Sequence, residues 1–212
     1  KRQLLRSADL ESIKRIISPT KTPIVVDDTV ATNVNVDVFK YADVVTTSLT
    51  KYYSGVGDVI AGAVIVNGAS QLRNKIVSQL KAQNDSSLYH EDAVVLSKNI
   101  TDYRDRVLRV NKTTPLIVDL LEDHPLVNKV WYPKYETRSN YDAVKRDGGG
   151  FSGLFSIELK RPEQTTAKFY DLLQLCKGPS LGANFTLVCP YTLLAHYDEL
   201  EWCEDNGVCQ DG

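Results

Sequence analysis

Residues 42–62 read ADVVTTSLTKYYSGVGDVIAG. The first part is rich in β-branched Val and Thr, which suit a pleated strand. Glycines at 55, 57 and 62 break the pattern into turns. Between strand and turns stands Ser48-Leu49-Thr50-Lys51. The strand therefore delivers two hydroxyls and an amine to its own C-terminal end. Side chains alternate across a strand, so the spacing puts Ser48 and Thr50 on one face. In an open α/β sheet, ligands bind at the carboxyl ends of the strands. This stretch accordingly decides both the fold class and the place to look for a site.

Working outward, Leu10, Ile13, Ile16 and Ile17 recur at helical spacing over residues 9–17, ended by Ser18-Pro19 and Pro23. Residues 24–27 (IVVD) form a short apolar run ending in an acid, expected to be a strand buried on both faces. Residues 59–66 read as a third strand. Residues 70–83 read as a helix with Leu72, Ile76 and Leu80 on one face. Helical periodicity returns over residues 91–122, with a break expected at Lys112-Thr113-Thr114-Pro115. Strands are expected at 127–132, 151–159 and 185–189, and a helix at 165–175. The alternation of strands and helices predicts an α/β first part with a mostly parallel sheet. From about Pro115 the pattern predicts a smaller α+β domain. The expected division is 1–112 and 113–212, joined by a long helix over residues 99–122.

The composition excludes several classes. A 42% hydrophobic, 25% charged chain of 212 residues suits one large globular domain or two small ones. A net charge of −2 gives no reason to expect nucleic acid or an acidic membrane as partner. No apolar run approaches the roughly 20 residues of a bilayer span, and no signal peptide is evident. The chain begins at Lys1, contains no Met and stops in the polar run Glu204-Asp205-Asn206-Gly207, so an internal stretch of a longer protein is expected. Cys176, Cys189, Cys203 and Cys209 have no CxxC spacing and read as reduced, mostly buried thiols of a cytoplasmic protein, with a Cys203–Cys209 pair as the alternative. Glycosylation-type triplets at Asn84, Asn99, Asn111 and Asn184 read as chance matches without a secretory signal. His90, His124 and His196 show no metal-ligand spacing.

Two strand ends carry chemistry. One ends at Asp27, the other at Ser48-Leu49-Thr50-Lys51. An acid, two hydroxyls and a lysine suit pyridoxal phosphate: the lysine forms the Schiff base, the acid keeps the pyridine nitrogen protonated and the hydroxyls hold the phosphate. The bland alternatives are a turn-forming Asp and a solvated loop Lys. Ser48-Leu49-Thr50-Lys51 also matches the Ser-x-x-Lys of penicillin-recognising serine enzymes, but the companion Ser-Asp-Asn and Lys-Thr-Gly motifs are missing. Asp147 to Gly153 (DGGGFSG) matches no phosphate-binding fingerprint and reads as a turn entering a strand where backbones approach closely.

PIVVDDT at 23–29, followed by the segment around Lys51, resembles the cofactor-binding segment of the Cys/Met-metabolism pyridoxal phosphate enzymes, the cystathionine γ-synthase and γ-lyase relatives. Gly149-Gly150-Phe151-Ser152 echoes a Gly-Gly-x-Phe-Ser strand of that family, and Ser180-Leu181-Gly182-Ala183 its later Ser-Leu-Gly-Gly segment. The resemblance implies an aspartate-aminotransferase-like fold (fold type I): the C-terminal part of a large α/β cofactor domain, then most of a small α+β domain. It implies Lys51 as the Schiff-base lysine, Asp27 as the partner of the pyridine nitrogen, and Ser48 and Thr50 on the phosphate. Ser180 is implied as a substrate contact. Further implications are amino-acid substrates (activated homoserine and cysteine) and dimers that pair into tetramers. The sequence departs from the family pattern at Asp28, at Val56-Gly57 and at Phe185. Asp-Asp-Thr and Gly-Val-Gly-Asp are similar to the divergent fungal synthase branch. Synthase is therefore expected, with γ-lyase, O-acetylhomoserine sulfhydrylase or a catalytically silent paralogue as alternatives.

Overall fold

The structure is a computed structural model that describes residues 5–83, 88–195, 197–199 and 202. The triplet at Asn84, His196, Cys203, Cys209 and the terminal polar run lie outside the described residues.

Helix α1 (Leu10–Ile17) starts where the Asp9 carboxylate accepts the Ser12 backbone N–H, a side-chain cap for an orphan donor. It leads into β1 (Val25–Asp27), β2 (Val44–Ser48) and β3 (Gly62–Val66), one sheet in the order β1-β2-β3. Val25, Val26 and Asp27 pair in parallel with Val44, Val45 and Thr46. β3 runs antiparallel to β2, with Ser48 opposite Gly62 and Val44 opposite Val66. The sheet is thus mixed, not mostly parallel. A parallel neighbour needs a crossover, usually a helix, and residues 49–61 supply only a turn and a glycine loop.

Register assigns the faces. Val25, Asp27, Val44, Thr46, Ser48, Val64 and Gly62 share one face, and Val26, Val45, Thr47, Ile65 and Ala63 the other. The second face builds a core in which Val45 and Val26 meet Ile24, Val36, Val38, Ala42 and Tyr141. On the first face Val25 and Val64 are exposed, so the expectation that residues 24–27 are buried on both faces fails.

Helices α2 (Arg73–Gln83), α3 (His90–Asn99) and α4 (Tyr103–Glu122) follow. The expected break at 112–115 is not there: α4 runs through Pro115, and the break is a 3₁₀ turn at Ile100–Asp102. β4 (Val127–Trp131) and β5 (Ser156–Leu159) form an antiparallel pair, with α5 (Arg138–Asp142) between them. Val127, Val130, Tyr132 and Leu159 pack on Val118 of α4 as a second core. β5 begins later than the expected residue 151, because residues 147–153 serve as a junction. Gly148 has φ +73°, and a Cβ on Gly149 would lie 2.5 Å from the Asn35 carbonyl oxygen. Asn35 Oδ1 accepts from Gly150 N at 2.9 Å and from Asn111 Nδ2 at 2.7 Å, tying this loop to α4. The close-approach reading of DGGGFSG stands. Helix α6 (Pro162–Leu172), the parallel pair β6 (Cys176–Lys177) and β7 (Leu187–Val188), and the short α7 (Tyr191–Ala195) complete the described fold. Cys176 is exposed rather than buried.

Candidate functional site

Lys51 sits where β2 stops being a strand. Leu49–Tyr53 forms one π-helical turn, closed by Ser54 N–H donating to the Leu49 carbonyl at 3.0 Å. Lys51 itself breaks the turn with φ −81° and ψ −122°. Such single π turns gather at functional sites because they redirect a side chain without ending the backbone hydrogen-bonding. Gly55 has φ +74° and its N–H donates to the Lys51 carbonyl at 2.7 Å.

The turn aims Lys51 at Ser180, and Nζ donates to Ser180 Oγ at 3.0 Å across 129 residues of sequence. Two contacts seat the loop that carries Ser180. Asn184 N donates to the Gly55 carbonyl at 2.7 Å. Gly182, at φ +74°, comes so near the turn that a Cβ there would lie 2.7 Å from Tyr52 N.

Ser48 is the last residue of β2, half-buried, with its N–H donated to Thr29 Oγ1 at 2.8 Å. Asp27 lies on the same sheet face, exposed, and its Oδ1 accepts the Thr29 N–H at 2.9 Å. Thr50 departs from the sequence reading. It belongs to the π turn, not the strand, and therefore does not share a strand face with Ser48. Its hydroxyl accepts the Ala61 N–H at 3.0 Å and makes a longer donation, 3.3 Å, to the Ala61 carbonyl. A hydroxyl has one proton and two lone pairs, so that long donation can be exchanged for a better acceptor while the Ala61 N–H stays bound.

Asp28, next to Asp27, lies just past the end of β1. It is buried, its Oδ1 has no hydrogen-bond partner among the described residues, and burial raises its carboxyl above the usual range, with the Thr47 hydroxyl pulling back. Behind the lysine turn, Tyr53 stacks on Tyr103 with ring centroids 4.1 Å apart. Sequence reading missed the support of the turn. Asn99 Nδ2 donates to Ser54 Oγ and to Asp58 Oδ1, both at 2.9 Å. Arg106 donates to the carbonyls of Tyr52 and Tyr53, both at 2.8 Å. No spacing signal marks either residue, because both act from another element.

Ser48, Thr50, Asp27, Lys51 and Ser180 are chemically suited to a phosphorylated pyridine aldehyde: hydroxyls for the phosphate, a carboxylate for a ring nitrogen, and an amine for the aldehyde. The comparisons with known proteins point the same way. The chain is 43% identical over 206 residues to cystathionine γ-synthase of Neurospora crassa, covering 97% of this chain and 33% of that protein. It is 40% identical over 214 residues to cystathionine γ-synthase of Saccharomyces cerevisiae, again 97% of this chain and 33% of the relative. The chain thus spans about a third of the length of these curated relatives. Among solved structures, cystathionine γ-synthase from Xanthomonas oryzae pv. oryzae, in complex with aminoacrylate and cysteine, superposes with a TM-score of 0.81 at 26% identity, over 99% of this chain and 54% of that one. Cystathionine γ-lyase from Lactobacillus plantarum gives a TM-score of 0.85 at 23% identity, over 99% of this chain and 55% of its own, and shares the fold. These are fold type I enzymes, so the mixed α/β arrangement around Lys51 is that fold. The sequence model for Cys/Met metabolism PLP-dependent enzymes matches residues 2–201, and the chain belongs to that family.

Proposed function

We propose that the protein exchanges the γ-substituent of an activated homoserine (O-succinyl- or O-acetylhomoserine) for the thiol of cysteine, releasing the carboxylic acid and forming cystathionine. The observation that carries this reading is the Lys51 Nζ–Ser180 Oγ contact at 3.0 Å, at the C-terminal end of the strand that carries Ser48. The likeness to two fungal synthases at 43% and 40% identity supports synthase over the alternatives.

The residues that would hold pyridoxal phosphate are Lys51 through Nζ, Asp27 at the ring nitrogen, and Ser48 and Thr50 at the phosphate. When bound, the cofactor supplies an electron sink for the charge left on the substrate when a proton departs from carbon. Asp27 favours the protonated ring by charge pairing. Lys51 Nζ is the group that would remove the proton from the substrate Cα, as general base. Ser180 Oγ accepts from Nζ and so restricts where that amine points. Residues 1–112 then belong to a large cofactor domain and 113–212 to a small α+β domain, with α4 crossing the division. Dimers pairing into tetramers are the corresponding assembly.

The test is borohydride reduction of the protein at full length, loaded with pyridoxal phosphate, followed by peptide mapping and assay with activated homoserine. Label on Lys51 and cystathionine from added cysteine are expected. Turnover with sulfide but not cysteine would make the protein a sulfhydrylase. Label on Lys40, Lys75 or another lysine would remove the site assignment.

A further inference from the structure

Arg106 has no part in the chemistry assigned above, yet it holds two carbonyls of the lysine turn. It lies in the first turn of α4, four residues after Asp102, with its side chain only 12% exposed. Nη1 donates to the Tyr52 carbonyl and Nη2 to the Tyr53 carbonyl, each at 2.8 Å. Nη2 also donates to the Asn99 carbonyl at 3.0 Å, and Nε to Asp102 Oδ1 at 2.7 Å.

These partners have a common origin. The carbonyls of Tyr52 and Tyr53 end the π turn, and that of Asn99 ends α3. Carbonyls at helix ends lack partners within their own element. One guanidinium serves both ends because its N–H groups fan out in a rigid plane. The same group also borders the Ser180 loop. A Cβ on Gly55 would fall on the guanidinium and lie 2.5 Å from Asn184 Oδ1. Gly55 leaves the gap that Arg106 fills, and its carbonyl accepts the Asn184 N–H. Arg106 therefore braces the turn that carries Lys51 and the end of α3, and it shares the space above Gly55 with Asn184 of the loop that brings Ser180 to Nζ.

We propose that Arg106 is the positioning residue of Lys51: it fixes the turn after the lysine so that Nζ keeps its line to Ser180, and it touches no reactant. The inference rests on the reading of Lys51 as the cofactor lysine. A lysine at 106 does not replace it, because an ammonium carries its donors on a single nitrogen and lacks the planar fork that sets Nη1 and Nη2 on separate carbonyls. Displacing a reacting group by about 1 Å costs on the order of a hundredfold in rate, so a loosened turn has a large kinetic effect without loss of the fold.

Arg106→Lys and Arg106→Ala, made in the protein at full length, test this with readouts that separate positioning from folding. Without cofactor, amide hydrogen exchange in peptides covering 51–55 should rise about tenfold or more, the response of a locally opened segment. Peptides covering β2 should not change. With cofactor, borohydride labelling of Lys51 should fall about tenfold or more in both variants, and the pH midpoint of the visible absorbance should move. Added guanidinium at non-denaturing concentration should restore labelling in Arg106→Ala but not in Arg106→Lys, whose ammonium occupies the gap. If Arg106→Ala does not fold, Arg106→Lys still carries the exchange, labelling and absorbance readouts. Variants that label Lys51 at the wild-type rate with an unmoved pH midpoint overturn the role of Arg106 alone. A wild-type protein that takes no label on Lys51 overturns the cofactor reading and this inference with it.

Discussion

Asp27 and Asp28 are adjacent carboxylates with opposite surroundings: Asp27 is the exposed last residue of β1, and Asp28, just past it, is buried. Asp27 lies on the open face with Ser48. Asn is nearly isosteric with it, so Asp27→Asn should keep the strand end and bind cofactor, yet lose the charge that holds a ring nitrogen protonated. Turnover should drop about tenfold or more; steady-state rates within a few-fold of wild type would remove Asp27 from that role. Asp28 is 6% exposed with one oxygen unpartnered among the described residues. Burial raises its carboxyl above the ordinary value, so its favourable contribution is full below that ordinary value and is lost as pH rises through the raised one. Asp28→Asn should therefore stabilise the fold by about 1 kcal/mol at about pH 8, the cost of a buried unpaired acceptor. The gain should shrink as pH falls through the raised value toward the ordinary carboxylate range, because the carboxyl then takes up a proton. Calorimetric Tm measured across pH checks this, and a gain independent of pH would show that Asp28 is not the titrating group.

At the scale of elements, the π turn and the Ser180 loop form one device. Gly182 is where the two backbones meet, at φ +74° and with no room for a Cβ beside Tyr52 N. Gly182→Ala should push the loop off the turn and lengthen the Lys51–Ser180 contact. The expected result is a loss of kcat/KM of about tenfold to a hundredfold, with cofactor still bound; unchanged kinetics would mean the loop does not position Ser180. Much of this level was legible in the sequence. The β-branched run, the glycines and the resemblance located β2, Lys51 and Ser180. What was not legible came from distant packing. Pro115 predicted a helix break at a penalty of about 3 kcal/mol. α4 tolerates it because Tyr103, Val107, Thr114 and Val118 are buried along the helix on either side. The actual break, at Ile100–Asp102, lies beside the Asn99 carbonyl that Arg106 takes, a contact no local pattern announces. The strand reading of Thr50 failed similarly, since its hydroxyl answers to Ala61, the residue just before β3.

For the molecule as a whole, the decisive feature is surface without a partner. Among the described residues β1 and β3 each pair on one side only, leaving two strand edges whose backbone groups can pair with another chain. The face that carries Asp27 and Ser48 also exposes Val25 and Val64, with Ile60 84% exposed beside it. On α4, Leu116 is 70% exposed, and Ile117 and Leu120 are exposed next to it. Exposed apolar patches of this kind mark surfaces that another part of an assembly covers. The curated relatives are about three times as long as this chain. These 212 residues expressed by themselves should therefore self-associate and bind a hydrophobic dye such as ANS. They should also fail to hold pyridoxal phosphate after gel filtration. The protein at full length should show little dye binding and a discrete oligomer. Sedimentation velocity at about 10 μM, within the concentration range where exposed edges and apolar faces drive association, distinguishes the two. A monomeric, dye-silent chain that keeps a visible absorbance band would mean that the open edges and apolar faces need no cover, and that the Lys51 site is complete within this chain.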